Sequence, residues 1–446
     1  MSKRIFSFSN VPVFSLLLVL LGGCRGSGIQ PVSSGLPADP PSLAPVAVAV
    51  KDSGPQVPEE VSLEDVSALA LQHHPDLRRF SYAERAADAR RLIARRLPNP
   101  SLTFEMEDFA GSGQFSGTRS AIYTGTLVQV LETGGKRSAR TAGAVAELAQ
   151  VRADYEVRRR EVLADGSHGF VFALAAKEAV ALAEHELHLA EVALRSVEEQ
   201  IEAGRANASQ RKLAEMTVIE ARLGKRLAER GLESALARLA TLWGGGAIPA
   251  GVQGRLSPPP NDLPSRDRLA DTLEEHPEIL RARRGEKLAT SKAQMARAAR
   301  YPDIELGVGA RQDKISGDNA LVVSASVPLP LFETGRDGVR AAEAEARAAR
   351  VRTDSVRVDL ERRFEMAWAE FADGHDAAVT IEQELLPGAR EVFRSIDESY
   401  QLGRTGFLEW LEARRQLAKA NRRWLEARRD YQLAAATLQT LTGLSF

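Results

Sequence analysis

Two periods alternate along this chain. From about Lys136 to Ala203, and again from about Arg336 to Leu402, apolar residues recur at spacings of three and four, as Leu360, Phe364, Ala367 and Phe371 do. That spacing puts them on one helix face and predicts packing against partner helices. The first run holds no proline and the second only Pro387. At about 1.5 Å per residue, either helix would span on the order of 100 Å. Ahead of each long helix the period drops to two. Ile304, Leu306, Val308 and Ala310 fall on one side, with Asp303, Glu305, Gly307, Gly309 and Arg311 on the other. Leu321, Val323, Ala325, Val327 and Leu329 alternate with Val322, Ser324 and Ser326, and Leu102, Phe104 and Met106 mark a further run. The stretch from Ser120 to Leu131 alternates less cleanly. Such runs predict strands with one apolar and one polar face. Their length, about nine to eleven residues, is that of a tilted strand crossing a bilayer.

The pattern occurs twice. His74-Pro75 matches His276-Pro277, and Pro100 before SLTFE matches Pro302 before DIELG, both at an offset of 202 residues. LETGGKR from Leu131 answers FETGRDG from Phe332, Gly204-Arg205 answers Gly403-Arg404, and LATLWG ending at Gly244 answers LQTLTG ending at Gly443. Five landmarks in one order indicate a tandem duplication. Each half predicts a short helix ending near the His-Pro and a second helix, about 76–97 or 278–299, stopped by proline. Two strands follow, about 101–110 and 119–131 in the first half and 303–312 and 319–330 in the second. Two long helices complete each half, about 136–203 and 207–243, then 336–402 and 406–443. The first repeat thus covers 61–244 and the second 265–446, joined by a Gly/Pro linker at 245–264.

Taken singly, each strand pair also fits a half-buried hairpin on the helices of a soluble protein. What precedes the repeats changes that reading. Lys3 and Arg4, the apolar IFSFSNVPVFSLLLVLL and a small-residue exit make residues 1–23 a secretory signal peptide. The chain's one cysteine, Cys24, ends Leu21-Gly22-Gly23-Cys24, which resembles a bacterial lipobox, so Cys24 is the expected lipidation site. Residue 25 is Arg, not Asp, which by the same resemblance favours the outer over the inner membrane. Residues 24–60, rich in Pro, Gly, Ser and Val, read as a lipid-anchored flexible tether. In an exported, lipidated chain the strands are expected to lie in the membrane. Four strands cannot close a barrel, and an open edge leaves backbone polar groups unpaired in hydrocarbon. Several copies must then contribute, and physics alone leaves two, three or four open.

Charge adds little. With 59 basic and 60 acidic residues the formal net is -1, which asks for no nucleic-acid partner. Abundant Ala and Arg with 6% aromatic residues suit long helices.

Over nearly all of 60–446 the sequence resembles the TolC-like outer-membrane efflux proteins. The resemblance is carried by the duplicated helix-strand-strand-helix-helix plan, HPEI from His276, PLPLFETG from Pro328 and YQLGRTGFLEWLEARR from Tyr400. It implies a mostly α protomer with a transmembrane β-barrel contribution. A homotrimer would form a 12-stranded β-barrel in outer-membrane lipid and a 12-helix periplasmic α-barrel. Lipidation and the LFETGR wording look more like members serving heavy-metal and drug pumps of the resistance-nodulation-division (RND) type. The channel would then be passive, joined through a periplasmic adaptor (membrane fusion protein) to an inner-membrane pump.

In that light YQLGRTGFLEWLEARR is the tip of a helical hairpin. Gly403 supplies the left-handed residue, and Tyr400 is expected to pack beneath the turn. Glu409 and Glu412, at i and i+3, share a helix face. In the family acidic residues here face the tunnel axis, so trimeric copies would ring a periplasmic gate with carboxylates favouring cations. Ion pairing with Arg414 or Arg415 is the simpler alternative. Gln210 and Leu213 stand at the equivalent places in the first repeat. The tips, with Gly204, Arg205, Gly403, Arg404 and Gly406, are the expected adaptor contacts.

No catalytic chemistry is visible. GGGAIPAG lacks the lysine and flanking strand of a phosphate-binding loop. His185 and His188 lie at i and i+3 without a third ligand, and His73-His74-Pro75 reads as a helix end. No nucleophile, base and acid group together, so neither an enzyme nor a cofactor is expected. Two rivals remain: the channel of a type I protein secretion system, and a lipid-anchored trimeric helical stalk without a pore.

Overall fold

The structure, a computed structural model, describes residues 55–260 and 262–445. The expected signal peptide, Cys24 and most of the expected tether lie outside the described residues. The first half runs β1 (Glu60–Val61), α1 (Leu63–His73), α2 (Pro75–Ala94), β2 (Ser101–Glu107), β3 (Ile122–Leu131), α3 (Lys136–Glu202) and α4 (Ala208–Ala240). The second runs β4 (Gly251–Val252), α5 (Arg266–Ala270), α6 (Pro277–Ala299), β5 (Ile304–Asp313), β6 (Asn319–Ser326), α7 (Arg336–Thr380), α8 (Leu386–Gln401) and α9 (Phe407–Thr442).

The His-Pro pairs start helices by one device used twice. Pro75 and Pro277 occupy the first helical turn, where a missing N–H costs nothing. The preceding His74 and His276 each accept, through Nδ1, the amide N–H two residues on, at 3.2 Å. His276 is buried. Burial, with Arg160 nearby, pushes its pKa down from the ordinary 6.5 to about 4.

Four strands form one antiparallel sheet in the order β2-β3-β5-β6, so the central joint, β3 with β5, links the two repeats. Register assigns the faces. Leu102 opposes Leu127, Leu127 opposes Val308, and Val308 opposes Val323, so all four share one face. Phe104, Leu306 and Leu321 lie on that face too, and it is open: Phe104 is 71%, Leu321 76% and Val323 75% exposed. The other face carries Thr103, Glu105, Thr124, Thr126, Arg311 and Ser324. Here Gly307 and Gly309 leave no room for a side chain. A Cβ on Gly307 would lie 2.9 Å from Thr126 Cγ2, and one on Gly309 would strike the carbonyl oxygen of Gly125. The polar face is therefore the crowded one. Asp108 and Ala110, both at φ 56°, end β2 earlier than its alternation suggests. Pro328 and Pro330, with no N–H to give, follow β6. Among the described residues β2 and β6 are free edges.

The long helices pack side by side, α3 against α4 and α9, and α9 against α7 and α8. One core joins Val66, Phe170, Leu174, Leu239, Trp243 and Leu256. A second, from the other repeat, joins Ile279, Leu360, Phe364, Phe371, Tyr431 and Leu438. The expected continuous helix from 336 to 402 contains one wider π turn, Ile381–Leu385, just before Pro387. Proline cannot donate to the preceding turn, and the wider turn absorbs that loss. Arg428 on α9 braces it, donating twice to the Glu382 carboxylate at 2.6 and 3.2 Å.

The inter-repeat linker is anchored. β4 pairs in parallel with β1, so the end of the tether and the linker share a small sheet, and Val61 and Val252 are fully buried. Lys177 donates to the Val252 carbonyl at 2.6 Å, and Glu178 accepts from the Leu256 amide at 2.8 Å. Further along, His375 Nε2 lies 2.8 Å from the Pro260 carbonyl.

Candidate functional site

The two hairpin tips share one backbone solution. At the first, the Arg205 amide donates to Gln200 and the Gly204 amide to Ile201. At the second, Arg404 donates to Ser399 and Gly403 to Tyr400. These are paired Schellman closures, and both glycines are left-handed, at φ 71°. The next helices begin differently. Asn207 and Gln210 form a reciprocal capping box on α4, whereas Gly406 starts α9 with no side-chain cap.

Side chains also distinguish the second tip. Tyr400 packs beneath its turn, its ring 6.2 Å from Phe407 and 5.6 Å from Trp410. Phe393 lies 6.1 Å from Trp410. Residues of the first hairpin, Ala193, Val197 and Ala214, complete this cluster, so the two tips are packed together. Polar bonds lock it. Tyr400 Oη donates to Gln200 Oε1 at 3.3 Å, across the hairpins, and Trp410 Nε1 donates to Asp397 Oδ1 at 2.6 Å.

Glu409 and Glu412 lie on the opposite, exposed side of α9. Glu412 accepts from Gln416 at 2.8 Å. Neither carboxylate pairs with Arg414 or Arg415 among the described residues. Arg414 instead turns inward, buried, and donates to the Glu186 backbone carbonyl at 2.8 Å. Burial lowers its pKa, an effect the Glu186 carboxylate opposes. The same carboxylate is held by Arg422 at 3.4 Å. The tip residues Gly204, Arg205, Gly403, Arg404 and Gly406 are all exposed. Sequence reasoning picked out the glycines, the glutamates and Tyr400 but missed Gln200, Asp397, Trp410 and the Glu186–Arg414 contact. The available signal was an aromatic trio, Tyr400, Phe407 and Trp410, whose first-repeat counterparts are Ile201, Ala208 and Arg211.

His185 and His188 are exposed on α3, and no group of three or more His, Cys, Asp or Glu gathers at a metal-holding distance among the described residues.

Comparison with known proteins places this architecture. The cobalt-zinc-cadmium resistance protein CzcC of Cupriavidus metallidurans is 27% identical over 406 residues, covering 89% of this chain and 95% of its own. The nickel-cobalt-cadmium resistance protein NccC of Alcaligenes xylosoxydans is 27% identical over 275 residues, 62% of each chain. Among solved structures, a membrane protein from Pseudomonas aeruginosa superimposes with a TM-score of 0.72 at 20% identity, over 85% of this chain and 90% of that one. The match to the family described as outer membrane efflux protein covers residues 66–245 and 269–444, and the chain belongs to that family.

Proposed function

We propose that this protein is the outer-membrane channel of a tripartite efflux system, exporting metal cations delivered by an inner-membrane RND-type pump through a periplasmic adaptor. Membership in a family of passive outer-membrane channels means that the chain is not an enzyme. The observation that carries the reading is the open sheet with its bare apolar face. Ten paired residues of β5 extend about 34 Å, and a strand tilted by about 45° covers about 24 Å of membrane normal, close to the height of a lipid-facing apolar band. Hydrocarbon would cover Phe104, Leu321 and Val323. The free edges of β2 and β6 would pair with neighbouring copies, closing a 12-stranded barrel from three.

The helices support side-by-side assembly too. α4 exposes Met216, Ile219, Leu223 and Leu227 at helical spacing, and α7 exposes Val351, Val358 and Met366. These stripes would meet between copies, since α3 and α9 already flank one another within a protomer. At the far end, Glu409 and Glu412 would ring the periplasmic mouth, and the exposed tips would receive the adaptor. Metal cargo is favoured by the names of the CzcC and NccC relatives. Cys24 would carry the lipid anchor at the outer membrane.

Planar-bilayer conductance of the purified protein tests this. Wild-type channels should prefer cations, and Glu409→Ala with Glu412→Ala should shift the reversal potential toward non-selectivity. Unchanged selectivity would remove the ring, and a detergent monomer without conductance would remove the channel. Cys24→Ser should abolish palmitate labelling; persistent label would refute the anchor.

A further inference from the structure

We propose that the exposed seam of α9 carries, above the glutamate pair, a separate anion-binding tier formed by Lys419 and Arg423. The seam follows a three-four repeat through Glu409, Glu412, Gln416, Lys419 and Arg423 to Glu426 and Asp430, and every one of these residues is exposed. A three-four spacing keeps residues on one face of a helix that winds around its neighbours. Such a seam is normally apolar and buried. Here it is wholly polar, and its charge runs negative, neutral, positive, then negative again.

The duplication shows that the fold does not require this. The matching positions on α4 are Gln210, Leu213, Thr217, Glu220, Gly224, Leu227 and Gly231, which lack any cation. The cations are also uncommitted. Four arginines of α9 are engaged: Arg414 with the Glu186 carbonyl, Arg422 with the Glu186 carboxylate, Arg428 with Glu382 and Arg429 with Asp430. Arg415, exposed beside the seam between Glu412 and Lys419, adds a further cation without an ion pair among the described residues. Among the described residues Lys419 and Arg423 make no ion pair, although Arg423 stands one turn from Glu426.

Lys419 lies seven residues beyond Glu412, an axial rise of about 10 Å. The Debye length at physiological ionic strength is about 8 Å, so the two tiers act as distinct sites rather than cancelling. Resting on the channel reading, in which this face lines the tunnel, three copies would converge six cations within about 6 Å, one helical turn, along a water-filled passage. Such a ring attracts small multivalent anions, much as the glutamate ring attracts cations.

The test uses full-length protein in planar bilayers, with inorganic triphosphate as the anionic probe and hexaamminecobalt(III) as the cationic one. Triphosphate should block the wild-type channel, and the block should weaken at least ten-fold in Lys419→Gln/Arg423→Gln and at 1 M salt. Hexaamminecobalt block should survive in that variant and be lost in Glu409→Gln/Glu412→Gln. If the double variant does not assemble, either single substitution should weaken triphosphate block part-way. Equal triphosphate block in wild type and variant overturns the tier, as does a conducting wild type that triphosphate leaves untouched. A wild type with no conductance under any condition overturns the channel reading itself, and the tier with it.

Discussion

Acidification should loosen the second repeat through one imidazole. His276 caps α6 only while its Nδ1 is unprotonated, because that nitrogen accepts the Glu278 amide N–H. Its pKa is about 4 in the folded chain against 6.5 ordinarily, with burial the first cause and the positive charge of Arg160 the next. The unfolded chain therefore takes up the proton first. Stability from this group is complete above pH 6.5 and falls as pH drops toward 4. Each pH unit in that window costs about 1.4 kcal/mol, so roughly 2 kcal/mol per chain is lost by pH 5. In a thermal melt this lowers the apparent Tm by on the order of 2 °C between pH 7 and pH 5. His276→Asn isolates the effect, since asparagine caps well and does not titrate. Titrating carboxylates contribute equally to both proteins, so the difference in acid slope is the readout. Identical slopes for wild type and His276→Asn across pH 4 to 6.5 would refute the reasoning.

Two further outcomes test the sheet and the tip. Gly309→Val should block assembly, because its side chain would meet the Gly125 carbonyl and part β5 from β3. Val308→Leu, on the open face, should be tolerated. Heat-modifiable migration on gels reads both, and a normal band for Gly309→Val would show that the polar face has room. Trp410→Ala should cost about 3 kcal/mol by emptying the aromatic cluster, and Trp410→Phe less, about 1–2 kcal/mol, by removing the bond to Asp397 and part of the ring volume while keeping an aromatic in place. Hydrogen exchange across 393–411 should quicken in that order, and unchanged protection would discount the cluster as the tip's lock.

The mostly helical class was legible because its signals are local and repeated. Alternation marks β5 and β6 since side chains on a pleated strand take opposite faces, and a single proline in a long helical pattern is easily counted. The same locality explains what stayed hidden. Pro387 announces a disturbance but not that a π turn will absorb it or that Arg428 will reach across to brace it. Alternation alone did not foretell that Asp108 and Ala110 would turn left-handed. At the tip, Gly403 advertises the turn, yet Arg414 turning inward depends on a carbonyl 228 residues away. Ion pairing with Glu409 or Glu412 looked equally available from spacing alone. The linker's Gly and Pro content suggested a plain joint, whereas its backbone is hooked to α3 and α7 by residues with no sequence signature.

The order of the strands sets a clock on biogenesis. β3 and β5 are matched from Ile122 with Asp313 to Leu131 with Ile304, partners 173 to 191 residues apart in the chain. At ribosomal speeds of about 5–20 residues per second, β3 is synthesised roughly 10–40 s before its mate. Throughout that interval the emerging hairpin offers an unpaired, greasy ribbon to every other nascent copy, a standing invitation to wrong pairing. Escorts that mask such ribbons during export should therefore be needed most by the amino-terminal half.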